Sequence, residues 1–407
     1  MAMRAITFAL LLSFACGAHT TVATNEALPT TMKAAPTLFD QLLSEVAIAP
    51  DAGARQAKVD MFLAAVPESP FVSGTTVTFL SLGAASISSD LNNWSSGKKA
   101  VMTQVADTTL WYRTFTAVAA DTRCDYKLIK NGVWQTDPRN PHTSPGIADE
   151  NSELRMPKYE PSPALDYHAD IAHGYVGDLT ADVPTNNSHA LSLYFPPGHF
   201  AGAGPYDFLI VNDGADFKDK ALYANVLDNL IAAGTIRPVV VAFVVPNDRN
   251  SEYFGDCSSS CPGSISRYLT YLTNDLLPFA EAEWKVSSDP SRHGIMGSSY
   301  GGAVALRAAY QFPQLFGLVG AQSARVDKTP NGEFPALADD YVKRVLPVSL
   351  YLDVGTINDL QSDDTAFDKA LTSAGYTRKT FAAYHDGHAF GNWRNRAAAL
   401  LSYLFPR

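Results

Sequence analysis

The spacing of apolar and polar positions changes twice along the chain. Between Phe39 and Val66, FDQLLSEV and AKVDMFLAAV place apolar residues three and four apart, which predicts two amphipathic helices. From Thr75 the pattern turns to β-branched and aromatic runs. VTFLSLG, TTLWYRTFTAV and CDYKLIKNGVWQ, separated by turn residues, predict a small antiparallel sandwich. ENSELRMPKYEPSPALDY then carries three prolines and no period, so it reads as a linker with a boundary near Arg155 to Pro163.

Beyond this boundary, strand-like and helix-like runs alternate. HALSLYFPP, YDFLIVNDG, PVVVAFVVP, RHGIMGSS, GLVGAQSA, PVSLYLDVG and RKTFAAYHDG have the apolar density of buried strands. LYANVLDNLIAAG, ISRYLTYLTNDLLPFAEAEW, YGGAVALRAAYQF, TAFDKALTSAG and NWRNRAAALLSYLF lie between or after them with helical spacing. This alternation predicts an α/β fold, a doubly wound and mostly parallel sheet covered on both faces.

At 407 residues the chain exceeds what one core usually supports, in keeping with two domains. The expected division is a signal peptide over 1–18, a helical segment and β-sandwich over 36–154, a linker over 155–165 and the α/β domain over 166–407. The signal peptide rests on Arg4 followed by AITFALLLSFA, which is too short to span a bilayer as a folded helix. Soluble export, secreted or periplasmic, is expected. Acylation at Cys16, with lipoprotein anchoring, is the alternative. No later segment is apolar for long enough to cross a membrane. With 41 acidic against 31 basic side chains the net charge is −10, which speaks against a phosphate-backbone-binding surface and so against a nucleic-acid partner.

Cysteine use fits an oxidising compartment, where Cys257 and Cys261 of GDCSSSCPG are expected to form a disulfide rather than a metal site. Cys124 in RCDYKLI reads as a buried small hydrophobe. No cofactor or metal is expected.

The candidate chemistry lies in SRHGIMGSSYGGAVALRAAYQFP. Gly297-Ser298-Ser299-Tyr300-Gly301 matches G-x-S-x-G between a strand and a helix, the context in which a tight turn lifts the central serine above the sheet. Ser299 is the candidate nucleophile, with the Tyr300 backbone N–H as an oxyanion donor. A bland strand-to-helix turn is the competing reading. The base is expected late in the chain, where His388 stands in YHDGHAFGNWR, while His385 is assigned to the loop. The acid should follow SLYLDVG. Asp359 is the candidate, with Asp363 and Asp364 as fallbacks and Asp353 as a strand residue of the scaffold. A second oxyanion donor is expected at Ala215 in DGADF, although an Asn-Asp-Gly turn without a ligand accounts for those residues equally well.

NDGADF, VPNDRNSEY, LLPFAEAEWKVSSDPSRHGIMGSSYGGAVALRAAYQFPQLFG, LYLDVGT and DGHAFGNWR, spread over Tyr206 to Phe405, resemble the enterochelin esterase and esterase-D group of α/β-hydrolases. VTFLSLG, SDLNNW and VWQTDPRNP resemble the early-set, immunoglobulin-like sandwich of glycogen-branching enzymes that is joined to such esterases. The resemblance implies a serine esterase with Ser299 as nucleophile and His388 as base. Arg249 and Glu252 in DRNSEY match an R-x-x-E at the edge of the site. Arg249 is placed either on an anionic or phenolic substrate group or in an ion pair with Glu252. The chain departs from the family at the acid, because relatives carry Glu or Asp where Asn358 stands here, so a Ser-His pair with a weak third member stays open. The implied partners are a small-molecule ester or an ester on a polysaccharide, feruloylated or acetylated. Trp94, Trp111 and Trp134 fit either sugar stacking or a core. A binding protein on a hydrolase fold without catalysis is the reading from a different class.

Overall fold

A computed structural model describes residues 36–407 apart from 99, 147–148, 180–182, 184–188, 203, 255–263 and 328–335. The expected signal peptide, Cys16 and the Cys257–Cys261 pair lie outside the described residues. Helices α1 (Leu38–Ile48) and α2 (Ala52–Ala65) open the described chain. Thr37 and Asp40 cap α1 reciprocally, satisfying donors that a helix start leaves unpaired. Phe39, Leu42, Val46, Val59 and Phe62 of the pair bury against Leu80, Val105 and Leu110.

Nine short strands follow: β1 (Phe71–Ser73), β2 (Thr76–Leu82), β3 (Ser86–Ser89), β4 (Thr103–Gln104), β5 (Leu110–Phe115), β6 (Arg123–Lys130), β7 (Val133–Gln135), β8 (Thr143–Pro145) and β9 (Glu150–Arg155). They form two antiparallel sheets, ordered β1-β2-β5-β4 and β3-β6-β9-β8, with β7 paired to β6. Val77, Phe79, Ile87, Cys124, Tyr126, Leu128 and Leu154 fill the core between them. β9 occupies Glu150–Arg155, the start of the proline-bearing stretch, and ends where the linker over 155–165 was expected to begin. Its interior positions are polar yet buried, because Asn151 bonds Asp125 and Glu153 bonds Arg123, so no apolar period marks the strand.

The rest of the chain contains β10 (Tyr175–Leu179), β11 (Leu191–Phe195), β12 (Asp207–Asn212), α3 (Gly214–Asp219), α4 (Tyr223–Ala232), β13 (Val239–Val244), α5 (Arg249–Phe254), α6 (Ile265–Thr270) and α7 (Leu277–Glu283). A wider-turned π segment over Tyr271–Leu276 joins the last two helices. There follow β14 (His293–Ser298), α8 (Tyr300–Gln311), β15 (Leu318–Gln322), α9 (Leu337–Tyr341), β16 (Ser349–Gly355), α10 (Gln361–Ala374), β17 (Lys379–Tyr384) and α11 (Phe390–Leu404). One eight-stranded sheet orders them β10-β11-β13-β12-β14-β15-β16-β17. The strands run parallel from β13 to β17, and β10 and β11 are antiparallel. Alternate residues of β12 face opposite cores: Phe208 and Ile210 pack with α6, α7 and α8, and Leu209 and Val211 with α4 and α11. This is the α/β-hydrolase arrangement that the resemblance implies. It brings the ends of β12, β14, β15 and β16 to one edge, the usual place for a ligand in open parallel sheets.

Candidate active site

Ser299 joins β14 to α8 with φ 72° and ψ −113°, a strained backbone for a residue with a side chain. The turn is feasible because Gly297 and Gly301 touch: a Cβ on Gly297 would lie 2.5 Å from the Gly301 carbonyl carbon. Ser298 is buried, and Ser299 is partly exposed. The His388 Nε2 lies 2.9 Å from Ser299 Oγ, and its Nδ1 lies 2.7 Å from Asp359 Oδ1. Residues 89 and 29 positions apart in sequence thus form one hydrogen-bonded line.

The acid is held by four donors. Asp359 Oδ1 also accepts the Leu360 N–H, and Oδ2 accepts the Gly355 N–H at 2.7 Å and the Ser323 hydroxyl at 2.6 Å. Burial works to raise the Asp359 carboxyl, but the hydrogen bond and charge of His388, the Ser323 hydroxyl and the charge of Arg396 outweigh it and hold it below the usual range. Asn358 takes the left-handed conformation at φ 51°, which asparagine tolerates, and the next residue is the one that meets His388. The fallbacks are elsewhere: Asp363 is exposed, and Asp364 is buried in the first turn of α10. Asp353 pairs with Arg396 at 2.7 Å and accepts from Gln322, inside the sheet. His385 bonds Asp121.

Two supporting residues carry no sequence motif. Ser323, at the end of β15 with φ 46°, accepts the Trp393 indole N–H at 3.1 Å while donating to Asp359. Trp393 stands edge-on to the His388 ring at 4.9 Å between centroids. Only the packing of β15 against α11 brings them together.

The expected oxyanion donors, Tyr300 and Ala215, occupy the first turns of α8 and α3, where backbone N–H groups have no intrahelical acceptor. Asp213 precedes α3 at φ 56°, and Gly214 packs against the β13 backbone so closely that a Cβ would overlap Phe243. Arg249 grips Asp213 with two hydrogen bonds, at 2.7 and 2.9 Å, beside the faces of Tyr253 and Phe254. The anticipated Arg249–Glu252 ion pair is therefore corrected. Glu252 is buried with one oxygen on His189 and the other on the Asn247 N–H, because the turn into α5 points it into the fold. Neither Arg249 nor Glu252 lines the cavity above Ser299.

That cavity, of about 710 Å³, has one wall from Ser299, Tyr300, Arg325, Asp359 and His388. The facing wall comes from the N-terminal sheets: Trp94, Lys127, Trp134, Asp149 and Asn151. The Trp94 and Trp134 rings are nearly parallel, 6.5 Å apart, and Lys127 pairs with Asp149. Trp111 instead packs against the core between the N-terminal sheets. Cys124 is a buried free thiol whose pKa burial pushes up. Among the described residues no helix is long and apolar enough to cross a membrane, and no group of three or more His, Cys, Asp or Glu is placed to hold a metal ion.

Comparison with known proteins shows the family and the fold. Residues 184–397 match the model of the family described as "Putative esterase". An uncharacterized protein of Bacillus subtilis, YbbA, is 26% identical over 139 residues, 32% of this chain and 55% of its own length. The iron(III) enterobactin esterase of Dickeya dadantii is 32% identical over 114 residues, covering 28% of this chain and 25% of its own. The chain thus spans little more than half the length of the first of these relatives. The enterobactin esterase of Shigella flexneri, solved in the presence of enterobactin, shares the fold with a TM-score of 0.65 at 18% identity, over 81% of this chain and 92% of its own. The ferric enterobactin esterase of Salmonella typhimurium matches with a TM-score of 0.65 over 81% and 93%.

Proposed function

The chain belongs to this esterase family, and on that premise we propose that it hydrolyses carboxylic esters through Ser299, His388 and Asp359. The observation that carries the reading is the unbroken line from Ser299 Oγ through both nitrogens of His388 to Asp359. Asp359 holds the Nδ1–H tautomer, leaving the Nε2 lone pair toward the serine. As Ser299 Oγ bonds the ester carbonyl carbon, its proton passes to Nε2. The Tyr300 and Ala215 N–H groups take the oxyanion. Collapse breaks the bond to the alcohol, which leaves with the proton from His388. Water, deprotonated by the same nitrogen, then attacks the acyl-enzyme, releasing the acid and restoring Ser299.

The expected substrate resembles those of enterochelin esterases, and the paired indoles of the cavity wall favour an ester carrying a ring. A feruloylated or acetylated polysaccharide is the second reading, favoured by the same wall. Export of the mature chain without its leader accompanies both. A fluorophosphonate probe with peptide mapping tests the reaction: label is expected on Ser299 and not on Ser298. Asp359→Asn should lower kcat by up to about 10⁴-fold, the penalty of the wrong tautomer, and Asp363→Asn should leave it unchanged. Label on Ser298 would remove this mechanism, and no label would favour a binding protein on a hydrolase fold.

A further inference from the structure

We propose that the N-terminal sheets position the base: Arg123 of β6, acting through Asn392 of α11, holds the loop that presents His388. The inference rests on the reading of His388 as the base. His388 lies on a loop between β17 and α11, and its placement depends on the main-chain groups just before it.

Two of those groups lead back to Arg123. The Arg123 backbone N–H donates to the His385 carbonyl at 3.0 Å. Its guanidinium donates through Nη1 to Asn392 Oδ1 at 2.8 Å, and Asn392 Nδ2 donates to the Gly387 carbonyl at 2.6 Å. A guanidinium only donates, so it admits a single orientation of the Asn392 amide, the one that aims the NH₂ at Gly387. Asn392 is fully buried. The guanidinium is itself immobilised, 1% exposed between Glu153 at 2.7 Å and Asp125 at 2.6 Å.

Two glycines mark how closely the halves approach. A Cβ on Gly387 would come within 2.5 Å of the Asp90 carboxylate, and one on Gly391 would overlap Arg123 Nη2. The His385 ring adds a bond to Asp121 on the N-terminal side, and on the hydrolase side Ile357 N–H donates to the Asp386 carbonyl and Arg396 grips the Asp386 carboxylate. The histidine is therefore clamped from both halves of the molecule. Neither Arg123 nor Asn392 lines the cavity above Ser299, so both are positioning residues.

Replacing Arg123 strands two buried carboxylates and endangers folding. Asn392→Asp leaves Arg123 in place and keeps an acceptor for Nη1, but it turns a carboxyl oxygen toward the Gly387 carbonyl where the donor stood, so its melting temperature is measured beside its kinetics. In the full-length chain kcat on a short-chain aryl ester should fall at least tenfold, with KM within twofold and the fluorophosphonate labelling rate falling in step. Gly391→Ala, which displaces Nη2 without removing a charge, should show the same split. The conservative Arg123→Lys should not restore it, because one ammonium cannot serve Asp125, Glu153 and Asn392 together. Wild-type kcat in Asn392→Asp and Gly391→Ala, with Ser299→Ala inactive, would overturn the clamp while leaving the proposed reaction standing. An active Ser299→Ala would instead overturn the reaction itself.

Discussion

Asp364 lies five residues beyond Asp359, and burial pushes its carboxyl up to about 9; the charges of Asp359 and Asp353 add to this, against a hydrogen bond from the Ala324 backbone. Among the described residues its Oδ2 has no hydrogen-bond partner. The folded chain therefore keeps a proton there up to about pH 9, while the unfolded chain releases it near the ordinary aspartate value of 3.8. Between these limits the folded state binds more protons, so this group's contribution falls as pH rises, by up to about 1.4 kcal/mol per pH unit. Asp364→Asn removes that slope. Its melting temperature should exceed the wild type's at pH 8, and the gain should shrink toward pH 5. A constant difference across this range would mean that Asp364 is ionised in the folded state. Asp359, whose carboxyl is held low, has the opposite sign: its contribution is present above the ordinary carboxylate range and is lost only in acid. The sequence marks both as acids on one loop, and neither opposite fate is legible there, because each depends on what the fold packs beside the carboxyl.

At the level of the element, the strand-turn-helix around Ser299 was legible because its requirements are local. Gly297 and Gly301 are dictated by contact within one turn, so a five-residue pattern carries the geometry. Gly297→Ala should force β14 and α8 apart, costing about 1–3 kcal/mol and with it most of the ester hydrolysis. Thermal melts beside kcat check this, and full activity with an unchanged melting temperature would show that the turn has room to spare. Strand β9 is the converse. Its polar interior becomes strand only because Arg123 and Asp125 of β6 take its side chains, a cross-strand exchange that no apolar period announces.

For the whole molecule, the cavity belongs to both halves, with Ser299 on one wall and an indole pair on the other. Trp134 is 43% exposed on β7 and is replaceable without opening a core. Trp134→Ala should raise KM for a ring-bearing ester about tenfold, the scale of a lost stacking contact, and leave KM for a short alkyl ester unchanged. Equal KM values for both esters in variant and wild type would remove the wall from the substrate site.

By itself, the sequence determined the alternation that makes the parallel sheet, the elbow motif at Ser299 and His388 as its expected partner, and left the acid among Asp359, Asp363 and Asp364, since period, turn chemistry and chain order are properties of neighbouring residues. It placed Trp94 and Trp134 in an aromatic-rich region without saying which indoles face outward. Only the tertiary structure decided that Ser323 and Trp393 support the acid, that Asp213 takes Arg249 and that Arg123 reaches the loop of His388. Arg123 and Asn392 stand 269 positions apart, and each reads alone as an ordinary polar residue. Their hydrogen bond exists because folding removes both from water, and a buried donor must then find its acceptor wherever in the chain it lies.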